Sequence, residues 1–302
     1  MLIKANCTIK KYEELEYTDN FMFGHVMQDG KLCHDVLECL LQRPVGELED
    51  VVSEREFRYT SDGKPIRMDI YTRDDREIYD AEAQNLNNKS IESLELPKRT
   101  RFYQAALDTD FLNKGYPYKA LPESTIIFIC TFDPFGKGLA RYTFREKCEE
   151  DTNISMNDAA TKVFFNCKYK GIDIPEDLRE FYEYVENGKC ENSLTRRIDE
   201  AVINARKMEK WRSEYMKEMA LIMDYKEEGR EEGREEGSFK RLIGLICKKL
   251  AKGKSVTTIA EDLEEDDETL ISKICTIAEK YAPDYDIDAI YEEYAEMQSE
   301  GI

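Results

Sequence analysis

One stretch limits the possible folds more than any other. Thr125-Ile-Ile-Phe-Ile-Cys-Thr131 is a nearly unbroken apolar, β-branched run of strand length. A strand that does not alternate has both faces covered, so it belongs inside a sheet. Two segments upstream read differently. Ile66-Arg-Met-Asp-Ile-Tyr71 alternates apolar with polar, and Ile78 to Gln84 reads as the next strand. Between them, Arg73-Asp-Asp-Arg-Glu77 suits a hairpin connection. Val51 to Tyr59 gives an earlier strand, followed by a Ser61-Asp62-Gly63 turn. A helical pattern from Asp19 to Arg43, with Pro44 as its stop, comes first. Another, from Ser90 to Leu112, carries Ile91, Leu94, Tyr103, Ala106 and Leu107, with Pro97 as a kink or break. The expected class is therefore α/β, in the order helix, three strands, helix, strand. Segments at Leu139–Phe144 and Val163–Cys167 would extend the sheet.

Beyond Pro175 the chain reads as helical, through Glu176–Glu186 and Leu194–Tyr225. Lys226-Glu-Glu-Gly-Arg-Glu-Glu-Gly-Arg-Glu-Glu-Gly237 then repeats a four-residue unit. Glycines four apart would line one helical face and permit close packing between subunits. Three glycines so close together also weaken a helix, and the sequence favours a linker or frayed helix. Phe239–Leu250, Val256–Leu263 (capped by Ser255) and Glu268–Tyr281 read as three short helices. The expected divisions are a core at 1–175, a helical extension at 176–226, the repeat at 227–238 and a small acidic helical module at 239–302.

Charge bears on the choice of partner. The formal net charge is −20 over 302 residues, whereas proteins that bind nucleic acid broadly are usually basic. The excess is uneven. Residues 227–302 hold 21 acidic and 10 basic side chains, and the first 226 hold 43 and 34. Binding of DNA by the core is thus expected to be local and helped by a divalent cation. The last helices match a helix-turn-helix in length, but Glu264-Glu-Asp-Asp-Glu268 argues against groove binding and for a role in oligomerisation or partner contact. Nine cysteines without a CxxC pair, no signal-peptide pattern and no long apolar run fit a soluble cytoplasmic chain without a membrane span. His25 and His34 are expected to be structural, and Trp211 to anchor helix packing.

Side chains two apart on a strand share a face. Arg67, Asp69 and Tyr71 then point one way on their strand, and Asp80, Glu82 and Gln84 share a face on the next. A tight hairpin sets Asp69 across from the region of Glu82, bringing two hard oxygen ligands beside an amide. Such a pair can hold a divalent cation that activates water at a phosphodiester. By spacing alone, acids on the solvent face of a hairpin are the competing reading.

The element order, with Asp19-Asn-Phe-Met-Phe, Arg67-Met-Asp-Ile-Tyr71, Glu82-Ala-Gln84, Lys98-Arg-Thr-Arg-Phe-Tyr103 and the Glu-Glu-Gly-Arg tail, resembles the PD-(D/E)XK nuclease superfamily. It is most similar to the Rpn family of recombination-promoting nucleases, also described as transposases, over roughly residues 17 to 285. The resemblance implies a metal-dependent DNA endonuclease with Asp69, Glu82 and Gln84 as catalytic residues. It also implies Mg²⁺ (or Mn²⁺) held by Asp69, Glu82 and the Ala83 carbonyl. Gln84 stands where the superfamily usually has lysine, so an amide must position water without a positive charge. Arg99, Arg101 and Tyr103 are candidates to meet DNA phosphate; alternatively, Tyr103 is core and the arginines pair with Glu92 or Glu95. Glu38 is either a further acid near the metal or an exposed helix residue. Two competing functions are a catalytically inactive nuclease fold serving as a protein-binding module, and an acidic DNA mimic.

Overall fold

The computed structural model describes residues 10–57, 66–85, 95–112 and 115–299. Two compact units divide between Met216 and Lys217. The first contains a six-stranded mixed sheet. Its strands are β1 (Glu49–Phe57), β2 (Ile66–Arg73), β3 (Glu77–Gln84), β4 (Glu123–Cys130), β5 (Arg141–Phe144) and β6 (Ala160–Asn166), in the order β1-β2-β3-β4-β6-β5. β1 to β3 pair antiparallel, β3–β4 and β4–β6 parallel, and β5 closes antiparallel on β6. The apolar run at 125–131 is accordingly β4 at the centre of the sheet, with Ile126 to Cys130 wholly buried.

The expected first helix is two: α1 (Asn20–Met27) and α2 (Gly30–Leu41). The break falls where the Asp29 side chain accepts from the Leu32 N–H at 3.0 Å, which caps a new helix. α1 packs on β1, β2 and β3, where Ala81 and Ala83 are small. The helix after β3 is α3 (Glu95–Phe111), and Pro97 stands near the start of its described part. Leu96, Tyr103, Ala106 and Leu107 of α3 form one core with Ile78, Ile126, Phe128 and Phe164. Ser61–Gly63, Ile91, Glu92 and Leu94 lie outside the described residues. After β6 come α4 (Glu176–Asn187) and α5 (Ser193–Arg206), which pack with α2 and each other.

The hairpin turn between β2 and β3 is fixed by polar bonds. Asp74 Oδ1 accepts from the N–H groups of Arg76 (2.9 Å) and Glu77 (2.8 Å), and Oδ2 accepts from the Gly46 N–H (2.9 Å) and the Tyr79 hydroxyl (3.0 Å). Burial opposes ionisation of Asp74, but these donors hold its carboxyl below the ordinary range. A Cβ on residue 46 would stand 2.9 Å from Asp74 atoms, so glycine suits this approach. Glu77, also buried, takes Arg43, the Thr125 hydroxyl and the Tyr79 hydroxyl. This end of the hairpin is well satisfied.

The second unit is helical. Its long helix α6 (Glu209–Leu250) begins in the first unit and runs through the glycine repeat without interruption. The expected linker or frayed helix at 227–238 is therefore helical, continuous with the segment at Phe239–Leu250. Glutamate and arginine are good helix formers and pair at helical spacing, as Glu227 does with Arg230 at 2.7 Å. α7 (Val256–Leu263) and α8 (Glu268–Lys280) follow, and a further helix, α9 (Ile287–Ser299), extends the expected set. Ser255 and Asp267 cap α7 and α8. Ile243, Ile246, Ile259, Ile271, Ile274, Ile277 and Ile290 form their core. Among the described residues the eight cysteines are free, and no helix is long and apolar enough to cross a membrane.

Nothing lies within 4 Å of a Cβ built on Gly229, Gly233 or Gly237. Replacing all three with alanine should raise helicity and stabilise this helix by about 1 kcal/mol per site. Circular dichroism during thermal unfolding checks this; unchanged helicity and melting would mean that the repeat is not helical in solution.

Candidate functional site

The regular pairs of the β2–β3 ladder run from Arg73↔Ile78 to Ile70↔Ala81. One residue further, the two expected acids meet. The Asp69 N–H donates to Glu82 Oε1 at 2.8 Å, and the Ala83 N–H donates to Asp69 Oδ2 at 3.3 Å. Each carboxylate is thus tied to the backbone of the other's strand. Asp80, two residues before Glu82 on the same face, joins them. Exposure falls from 8% at Asp69 to 2% at Glu82 and 0% at Asp80. The acids are not on a wet hairpin face, because α3 covers them.

From α3, Arg99 comes to 3.6 Å of Glu82 Oε2. Its guanidinium lies 5.5 Å from the ring centroids of both Tyr103 and Phe128, a favourable cation–aromatic arrangement. One guanidinium among three carboxylates leaves the acids short of positive charge. Burial pushes the Asp69 carboxyl up to about 7, against the pull of Arg99 and the Ala83 N–H. Burial and then Asp69 push Asp80 well above its usual range, and burial with both neighbouring acids does the same to Glu82. Among the described residues, two sets of polar atoms at this site stay buried without a hydrogen-bond partner: both oxygens of Asp80, and Nε and Nη2 of Arg99.

Comparison with family models, curated proteins and solved structures gives no match. The site therefore has to be read from its own chemistry.

Gln84 is buried and its amide donates to the Ala83 carbonyl at 2.8 Å. The carbonyl expected as a metal ligand is already engaged by the residue expected to position water. Tyr103 is core, and its hydroxyl donates to the Arg67 carbonyl at 3.0 Å. Arg101 is exposed on α3, while Arg99 turns inward. Of the three residues expected to meet phosphate, Arg99 alone stands among the acids. The opening motif also finds a place: Asn85, next after Gln84, donates to the Thr18 carbonyl at 2.7 Å and to Asp19 at 3.3 Å, tying the end of β3 to the start of α1.

Glu38 lies elsewhere, with His34 and Asp35. Among the described residues these three form the group whose ligand atoms all lie within 4.8 Å of one another. Each is already occupied. Glu38 accepts from the Val45 N–H at 3.1 Å, His34 bonds the Val45 carbonyl at 3.0 Å, and Asp35 pairs with Arg197 at 2.6 Å. The cluster fastens α2 to the loop behind it and to α5. His25 stacks on Phe21 and meets the edge of Trp211, so both serve packing. Against β1 and β2, a cavity of about 510 Å³ is lined by Asp50, Arg55, Tyr71, Arg73, Asp110 and Tyr116. Its arginines, which sequence reasoning passed over, pair with Asp110 and Glu49.

Between the ordinary 3.8 and about 7, folded Asp69 holds a proton that the unfolded chain has released. Its contribution to stability therefore falls as pH rises through that window and levels off above it. Urea midpoints for the parent and Asp69→Asn, measured from about pH 4 to about pH 8, should show a shallower decline in the variant. Equal slopes would assign the effect to another group.

Proposed function

We propose that this chain is a Mg²⁺-dependent DNA endonuclease of the PD-(D/E)XK type, connected with recombination or a mobile element. One observation carries the reading: Asp69 and Glu82 face each other from neighbouring strands, each carboxylate bonded to the backbone of the other's strand, beside Arg99. Three antiparallel strands, a helix and a strand parallel to the third support the superfamily, as does the Glu82-Ala-Gln84 pattern. A buried carboxylate with two partnerless oxygens beside two more acids is a hard-oxygen donor set that suits a divalent cation. Mg²⁺ takes one or two carboxylates and keeps several waters, so the site need not be a closed cage.

Asp69 and Glu82 would hold the cation. When bound, it would supply an activated water and neutralise charge on the phosphate. Arg99 holds Glu82 in place and has buried N–H groups to offer a phosphate oxygen. Gln84, anchored by the Ala83 carbonyl, has an amide oxygen that can orient water.

Supercoiled plasmid should be nicked with Mg²⁺ or Mn²⁺ and left intact with a chelator. Asp69→Ala and Glu82→Ala should each reduce nicking to background, and variants that cut as well as the parent would sink the assignment. The engaged Ala83 carbonyl and the missing lysine favour one other reading, an inactive nuclease fold that binds a protein partner. That reading requires no cleavage with any divalent cation, together with a complex lost on removal of the acidic helices.

A further inference from the structure

Asp80 is the anomaly of the fold. Among the described residues both of its oxygens are buried and partnerless, on the central strand pair of the sheet. A buried carboxylate left without donors is costly, and native structures rarely keep one without cause. The same chain shows how such a group is normally accommodated. On the same strand, Glu77 has Arg43, Thr125 and Tyr79, while Asp74 in the turn accepts four donors. Arg99 leaves Asp80 unsatisfied, since its ion pair is with Glu82 at 3.6 Å. Two further features point to a ligand that completes the site. Asp80 shares its strand face with Glu82, and Arg99 has partnerless N–H groups in the same place. An orphaned carboxylate near a guanidinium with unsatisfied N–H groups complements a ligand bearing both charges, a divalent cation on one side and phosphate on the other.

We propose that Asp80 is a third carboxylate holding the divalent cation, together with Asp69 and Glu82. The proposal rests on the nuclease reading above and adds to it a residue that the Asp69 and Glu82-Ala-Gln84 pattern does not include. It explains why an acid stands at position 80, where an apolar residue would pack against Ile126 across the ladder. The cation supplies the positive charge that Arg99 alone does not. Asp80 consequently raises cation affinity while destabilising the cation-free fold.

That opposition distinguishes a ligand from a structural residue. Manganese alone, titrated by calorimetry into the full chain, is the probe, with parent, Asp69→Asn and Asp80→Asn compared. Thermal melting with and without Mn²⁺ runs alongside. Asp80→Asn should bind Mn²⁺ about tenfold or more weakly, as loss of a group at a metal site does. It should melt no lower than the parent without metal, and its rise in melting temperature with Mn²⁺ should shrink. If the Asp80→Asn variant fails to fold, Asp80→Ser gives the same comparison with a smaller neutral side chain. Should Asp80→Asn keep full affinity and the full Mn²⁺-induced rise while Asp69→Asn loses both, Asp80 is no ligand and the nuclease reading stands. Should the parent itself take up no Mn²⁺, the nuclease reading falls and this proposal with it.

Discussion

Three carboxylates share one buried face of β2 and β3, and their surroundings are organised around keeping them there. Bringing several like charges out of water opposes folding strongly unless donors or cations replace the lost hydration. The chain supplies part of that replacement. Two backbone N–H groups turn to Asp69 and Glu82, and Arg99 is held over the aromatic rings of Tyr103 and Phe128. Burial raises the proton affinity of all three acids, with repulsion from neighbouring acids adding to it at Asp80 and Glu82, in keeping with that shortfall. Local rules of stability that are broken in one place have to be compensated elsewhere, and here the large apolar core around β4 provides the compensation.

The two ends of the hairpin make the contrast plain. At the turn, Asp74 and Glu77 are buried too, yet they are surrounded by donors. That network joins the turn to Gly46, to β4 through Thr125 and to Arg43 just beyond α2. It gives the sheet a rigid corner. At the other end, regular pairing gives way to bonds between side chain and backbone, and polar atoms are left open. One hairpin thus carries a satisfied polar cluster and an unsatisfied one.

Much of this arrangement was legible in the sequence. The unbroken apolar run gave β4, and alternation on both sides of Asp74-Asp-Arg76 gave the hairpin and the faces of Asp69 and Glu82. What escaped depends on contacts between distant segments. Alternation put Asp80 on the same face as Glu82, but its isolation follows only from where Arg99 and α3 come to rest. The division of α1 from α2 depends on one cap at Asp29 inside a pattern that reads as continuous. The glycine repeat runs in the opposite direction: intrinsic propensity argues for a linker or a frayed helix, while flanking helix and Glu–Arg pairing carry the helix through. Tyr103 was open between core and phosphate because an aromatic with a hydroxyl suits both, and its bond to Arg67 places it in the core.

The short turn at Asp74 has a consequence for how this protein can vary. Side chains alternate along a strand, so inserting or deleting one residue between Asp69 and Glu82 would turn one acid through the sheet to face α1. The two positions are 13 apart in the chain, and the Asp74 bonds hold that count by fixing where β2 ends and β3 begins. Chain length in this interval thus decides whether the acids meet, as much as their identity does. Natural or engineered changes of length would have to be absorbed in other loops.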